Sequence, residues 1–200
     1  MPVADPLTVF LATAIGVGAS GSADPGLVNP SPALLGHLEV GIEYRGIASL
    51  ALSAPLGRSW YDNTAPPPEG VTPDDSLVVS RAGLGLVGEG RLTLLEPLDT
   101  VSFTFGGGAY LDRVSARAGG AVLGVEGDYY EESDVGIAAE GRVGADLRLG
   151  RAALLGLRAG WMWYQADLPD VTDGAASLGG PFVELRVTFD ITGLRMDPVR

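Results

Sequence analysis

Apolar residues recur at every second position through six stretches of this chain, and no charge falls among them. The stretches run from Leu34 to Tyr44, Ala82 to Leu94, Val101 to Leu111, Val135 to Leu149, Ala153 to Trp163 and Val183 to Ile191. Leu, Val, Ile, Phe, Trp, Ala and Gly fill these positions, with Tyr44 as the one polar-tipped member. The interleaved positions carry Glu39, Glu43, Glu89, Arg91, Glu140, Arg142, Asp146, Arg148, Arg158, Glu184, Arg186 and Asp190. A period of two belongs to β-strands, whose side chains alternate between faces. A face without charge is one that never meets water. Whether it meets a protein core or lipid decides what kind of protein this is.

The connections between strands fall into two classes. Short ones lie at Tyr44-Arg45-Gly46, Glu96-Pro97-Leu98-Asp99 and Leu149-Gly150-Arg151-Ala152. Long ones, rich in Gly, Pro, Asp and Ser, lie near 20–33, 57–76, 113–133 and 167–179. The run from Leu34 to Pro55 is too long for one strand, and a tight turn at Arg45-Gly46 divides it into HLEVGIEY and IASLALSA. With that division the sequence predicts eight strands, near 7–19, 34–45, 47–56, 77–95, 99–113, 134–149, 152–166 and 180–192. Long and short connections then alternate without exception, and both termini fall on the short-turn side. This is the pattern of a single-domain, all-β, eight-stranded antiparallel up-and-down barrel spanning residues 1–200. Closure also removes the sheet edges on which a chain rich in Val and Leu would aggregate.

Three features turn the apolar face outward, to lipid. The polar face is rich in glycine, at Gly83, Gly85, Gly106, Gly108, Gly136, Gly144, Gly156 and Gly160. Glycine weakens an exposed strand but makes room inside a narrow barrel. Charges on the same face are mixed and balanced along each strand, Glu89 with Arg91, Glu140 with Arg142, Asp146 with Arg148 and Glu184 with Arg186, as buried charges must be. Aromatic residues of the apolar face sit towards strand ends: Tyr44 and Phe103 near short turns, Trp161 and Trp163 towards a long loop. Membrane barrels carry interfacial girdles of this kind. The alternative is a soluble lipocalin-like barrel carrying a hydrophobic ligand, with Leu, Phe and Trp crowded into its bore.

Composition narrows the partners. A net charge of -12 argues against nucleic acid. The acids outside the strands (Asp24, Asp62, Glu69, Asp74, Asp75, Asp128, Glu131, Glu132, Asp167, Asp170, Asp173) make the long loops strongly acidic. There is no cysteine, hence no disulfide or thiolate metal site, and all 13 basic residues are arginine. Codon bias accounts for that choice, and so does the suitability of the guanidinium for buried bidentate pairs. The run LTVFLATAIGV at Leu7 to Val17 reads as the first strand rather than an export-signal core, because Pro2, Asp5 and Pro6 precede it with no basic residue.

In pattern the chain resembles the small outer-membrane β-barrels, the group of the OmpA transmembrane domain and OmpX. The resemblance rests on HLEVGIEYRGIASLALSA, on RLTLLEPLDTVSFTFGGGAYL and on the last strand FVELRVTFDI. It implies a porin-like architecture in the outer membrane of a Gram-negative bacterium, with short turns in the periplasm and long loops outside. One departure is the tail DITGLRMDPVR after Phe189, where such barrels usually end on an aromatic residue.

The candidate functional set is a lumen charge network of Glu39, Glu43, Glu89, Arg91, Glu140, Arg142, Asp146, Arg148, Arg158, Glu184 and Arg186. Such a network fills the bore, or gates a narrow water path by exchanging partners. The lone His37 reads as a satisfied interior residue near the barrel's outer mouth, since no nucleophile spacing accompanies it and Glu39. The run DYYEESD from Asp128 to Asp134 is the best loop surface for a partner or Ca²⁺, though it lacks ligand spacing. The expectation is a non-enzymatic monomer without cofactor or metal. Its partners are the lipid bilayer and, through the acidic loops, an extracellular surface.

Overall fold

The computed structural model describes residues 7–22, 31–61, 77–94, 100–119, 129–150, 152–167 and 175–192. Eight strands occupy them: β1 Leu7–Ser22, β2 Ser31–Tyr44, β3 Ala48–Tyr61, β4 Leu77–Thr93, β5 Val101–Gly119, β6 Tyr129–Arg148, β7 Ala153–Asp167 and β8 Ala175–Asp190. Each pairs antiparallel with its chain neighbours, and β1 closes on β8. The β2–β3 hairpin turns at Arg45 and Gly46, both at positive φ, with the Ile47 amide donating to the Tyr44 carbonyl at 3.0 Å. That left-handed pair matches the twist of the flanking strands.

Register sets the size of the bore. A path from Ala12 through partners Glu39, Ser53, Gly85, Tyr110, Ala138, Tyr164 and Leu178 returns to β1 at Ser22, ten residues further on. Eight strands with this stagger tilt about 40° from the axis and leave roughly 16 Å between opposite backbones, enough for side chains and little else.

The apolar face points outward. Ile15 is 71% exposed, Leu111 65%, Leu84 60% and Trp161 59%, while the charged positions of the same strands are buried. On outward-facing strand positions among the described residues, charge occurs only at Arg58, Arg113, Arg117, Glu131 and Asp167, all at the long-loop end. Below them an uncharged band of Leu, Val, Ile and Phe encircles the barrel. A soluble carrier would hold that band inside, so the soluble alternative is excluded.

The strands run further towards the long loops than the alternation suggests. β3 extends to Tyr61, β5 to Gly119, and β6 begins at Tyr129, so Tyr129 to Asp134 belong to a strand rather than a loop. Pairing continues past the uncharged band because the backbone still needs partners, whereas the outer face there no longer has to be apolar. The other loop acids, apart from Glu131, Glu132 and Asp167, lie outside the described residues, as does the tail beyond Thr192.

Candidate functional site

The barrel directs one residue in two into its bore, which brings charges from β2, β4, β6, β7 and β8 together. Near the short-turn end Arg91 pairs with Glu43 and, at 3.2 Å, with Asp146. Arg158 grips Asp146 with both terminal nitrogens, at 2.7 and 3.2 Å, and its Nε lies 3.3 Å from Glu89 Oε1. Arg142 donates from Nε to Glu89 at 2.8 Å and from Nη2 to Glu39 at 2.8 Å. Arg186 reaches Glu89 at 2.7 Å and also bonds Glu39. Glu89 therefore faces three guanidiniums and Glu39 two. All these side chains except Glu43 and Arg91 are nearly fully buried, the condition under which charges must be paired.

One layer higher, Arg142 Nη1 lies 3.2 Å from Glu140 and 3.5 Å from Glu184. His37 Nε2 stands 3.8 and 3.7 Å from the same two carboxylates, and its Nδ1 is 3.5 Å from Ser53 Oγ. Hydroxyl, imidazole and carboxylate thus occur in the order used by hydrolases. Ser53 is fully buried, however, and the imidazole–carboxylate separations exceed hydrogen-bond length.

Towards the long loops the lumen becomes apolar. Leu35, Tyr110, Val114, Met162, Leu178 and Phe182 pack there, all buried. Embedded among them is one further ion pair, Arg81 with Asp112 at 2.6 Å. The Arg81 guanidinium faces the rings of Tyr110 at 5.7 Å and Tyr164 at 5.3 Å and touches the Met162 sulfur.

Ten of the eleven charges meet in the bore, and of the four same-strand pairs that the spacing suggests, Glu140 with Arg142 forms, at 3.2 Å. The other ion pairs join different strands, from the adjacent pair Arg158 and Asp146 to the facing pair Arg142 and Glu39, because register brings these side chains to common heights. Arg148 is the exception: at the last position of β6 it is exposed and stands outside the network. His37 stands inside the lumen at the upper side of the charged network, beneath the apolar packing around Tyr110, rather than at the outer mouth. Arg81 and Asp112 lie just beyond the charge-free alternating stretches, which begin at Ala82 and end at Leu111, and so are not among the charges that those stretches mark. Both share the parity of Glu89 and Thr104, which was the available signal. A polar plug thus fills only part of the lumen, and an apolar one fills the rest. The aromatics Tyr44, Phe103, Trp161 and Trp163 all face outward, with Arg45 over the Tyr44 ring at 5.2 Å.

The glycines make room as expected. A Cβ on Gly144 would run into the Leu157 carbonyl oxygen and lie 2.5 Å from Arg158 Cδ, and one on Gly106 would run into the Gly88 carbonyl oxygen and lie 2.9 Å from Glu89 Cγ. Gly144→Val should therefore destabilise the barrel by about 1–3 kcal/mol through overpacking. Urea unfolding in detergent micelles measures this; an unchanged midpoint would show that the β6–β7 backbone and Arg158 both have room to shift.

A closed barrel with an uncharged outer band and an ion-paired bore is a transmembrane β-barrel with the architecture of small bacterial outer-membrane proteins. Neisserial surface protein A has this fold: it aligns over 92% of this chain and 97% of its own, with a TM-score of 0.54 and 11% identity. Ail, the attachment invasion locus protein of Yersinia pestis, was solved with the heparin analogue sucrose octasulfate. It aligns over 91% of this chain and 98% of its own, with a TM-score of 0.50 and 12% identity. At such identities the likeness is one of fold. No protein-family model and no curated protein matches the sequence.

Proposed function

We propose that this chain is a non-enzymatic protein of the bacterial outer membrane, a closed barrel anchoring acidic loops that contact an extracellular partner. The carrying observation is the lumen: Arg142, Arg158 and Arg186 lock Glu39, Glu89 and Asp146 into a continuous network, and apolar packing continues above it. Filled in this way, the described part of the bore is occupied by its own side chains, which supports a structural role for the barrel. Short turns face the periplasm, with Tyr44 and Phe103 at the inner interface and Trp161 and Trp163 towards the outer one. Ail was crystallised with a polyanion. Loops carrying the acid of a chain at net -12 suit a partner of opposite, basic character instead.

Planar-bilayer recording tests the closed reading. Wild-type protein should give no current above background, whereas Arg158→Ala, which removes the central guanidinium, should give small, noisy openings. Steady conductance from the wild type would replace the closed anchor by a narrow pore gated through exchange of arginine partners on Glu89.

A further inference from the structure

Just above the uncharged band, a polar row crosses the outer surface of four adjacent strands. Arg58 of β3 stands directly opposite Ser80 of β4, Ser80 opposite Ser115 of β5, and Ser115 opposite Ser133 of β6. All four face outward, one step above the row of Leu56, Ala82, Arg113 and Val135. Three strand spacings make the row about 14 Å wide. Arg113, on the band side of Ser115, reaches into it and donates to Ser133 Oγ at 3.4 Å. At the other end the Arg58 guanidinium lies 5.6 Å from the centre of the Trp60 ring.

The row carries no carboxylate and is rich in donors. It offers three hydroxyls and two guanidiniums, and among the described residues neither Arg58 nor Arg113 forms an ion pair with a carboxylate. Every arginine buried in the lumen does so, in a chain whose acids outnumber its bases 25 to 13. Arg117, one step further out, stands opposite Glu131 and marks the outer limit of the row. The height is equally specific. These are the first charges met on β3 and β5 after the apolar band, the level at which acyl chains give way to headgroups.

We infer that Arg58, Ser80, Arg113, Ser115 and Ser133 form a seat for the phosphorylated headgroup of a lipid in the outer leaflet. The inference rests on the membrane orientation proposed above. Guanidiniums bind phosphate oxygens in bidentate fashion, serine hydroxyls complete the shell, and the Trp60 ring holds Arg58 at the interface. The acyl chains then lie along Leu56, Leu84 and Leu111.

The test uses the full chain in phosphatidylcholine nanodiscs doped with bisphosphorylated lipid A, with retained lipid counted by native mass spectrometry. Assembly into the nanodisc, checked by the resistance of the band to unheated electrophoresis, reports the membrane reading separately. Wild type should retain lipid A, and Arg58→Gln and Arg113→Gln should each weaken retention about fivefold at low salt. Arg45→Gln at the opposite rim should leave it unchanged. Equal retention by the Arg58→Gln/Arg113→Gln double variant, or equal retention of dephosphorylated lipid A by the wild type, would overturn the inference. So would binding of soluble sucrose octasulfate in preference to the lipid.

Discussion

Replacing Arg142 with methionine should cost about 3–5 kcal/mol of stability, because the change leaves buried carboxylates without their counter-charge. Arg142 touches four of them: Glu39 and Glu89 at 2.8 Å, Glu140 at 3.2 Å and Glu184 at 3.5 Å. Methionine fills similar volume, so the loss is electrostatic rather than a cavity. Urea titration in micelles, followed by the shift between folded and unfolded bands, gives the magnitude. Adding Glu140→Gln to the variant should recover part of the loss, since Glu140 has Arg142 as its arginine partner and that stranded charge is then gone, whereas Glu39 and Glu89 keep Arg186. If Arg142→Met lowers stability by less than about 1 kcal/mol, the lumen is hydrated and its charges are not held as the geometry indicates.

The second large effect lies on the outer surface. Leu52 of β3 faces outward in the middle of the uncharged band, with Val40 and Leu86 beside it, and is 50% exposed. In water, arginine at a half-exposed strand position would be nearly neutral. In a bilayer it should cost about 2–4 kcal/mol, and Ile191→Arg at the short-turn edge only about 0–1 kcal/mol. Unfolding equilibria in lipid bilayers measure both. Equal, small effects at the two positions would be fatal to the transmembrane assignment, whatever the fold.

Much of the architecture was legible because the physics behind it is local. Side-chain alternation with period two reports the strands. The parity of long and short connections reports their number, and the turn at Arg45-Gly46 falls where the two left-handed residues stand. The orientation of the apolar face could be argued too, from glycines such as Gly144 that leave space for Arg158. Strand ends towards the long loops were less legible. Beyond the lipid band nothing demands an apolar outer face, so alternation fades at Arg58, Arg113 and Ser133 while backbone pairing continues.

The identity of the interior charges belongs to the sequence; their partners belong to the fold. Parity alone sends Glu39, Glu89, Arg142, Arg158 and Arg186 to one face. It says nothing about which carboxylate each guanidinium finds, because that depends on the ten-residue stagger that brings β2, β4, β6, β7 and β8 to common heights. The same stagger stacks Leu35, Val114, Leu178 and Phe182 above the charges and gathers Arg58 with three serines on the rim. By itself the sequence determined that this chain presents an uncharged face on eight strands, since that requires only neighbours along the chain. Only closure decided the contents of the lumen, and only strand register the polar row outside it, since both are made by residues that meet between strands rather than along the chain.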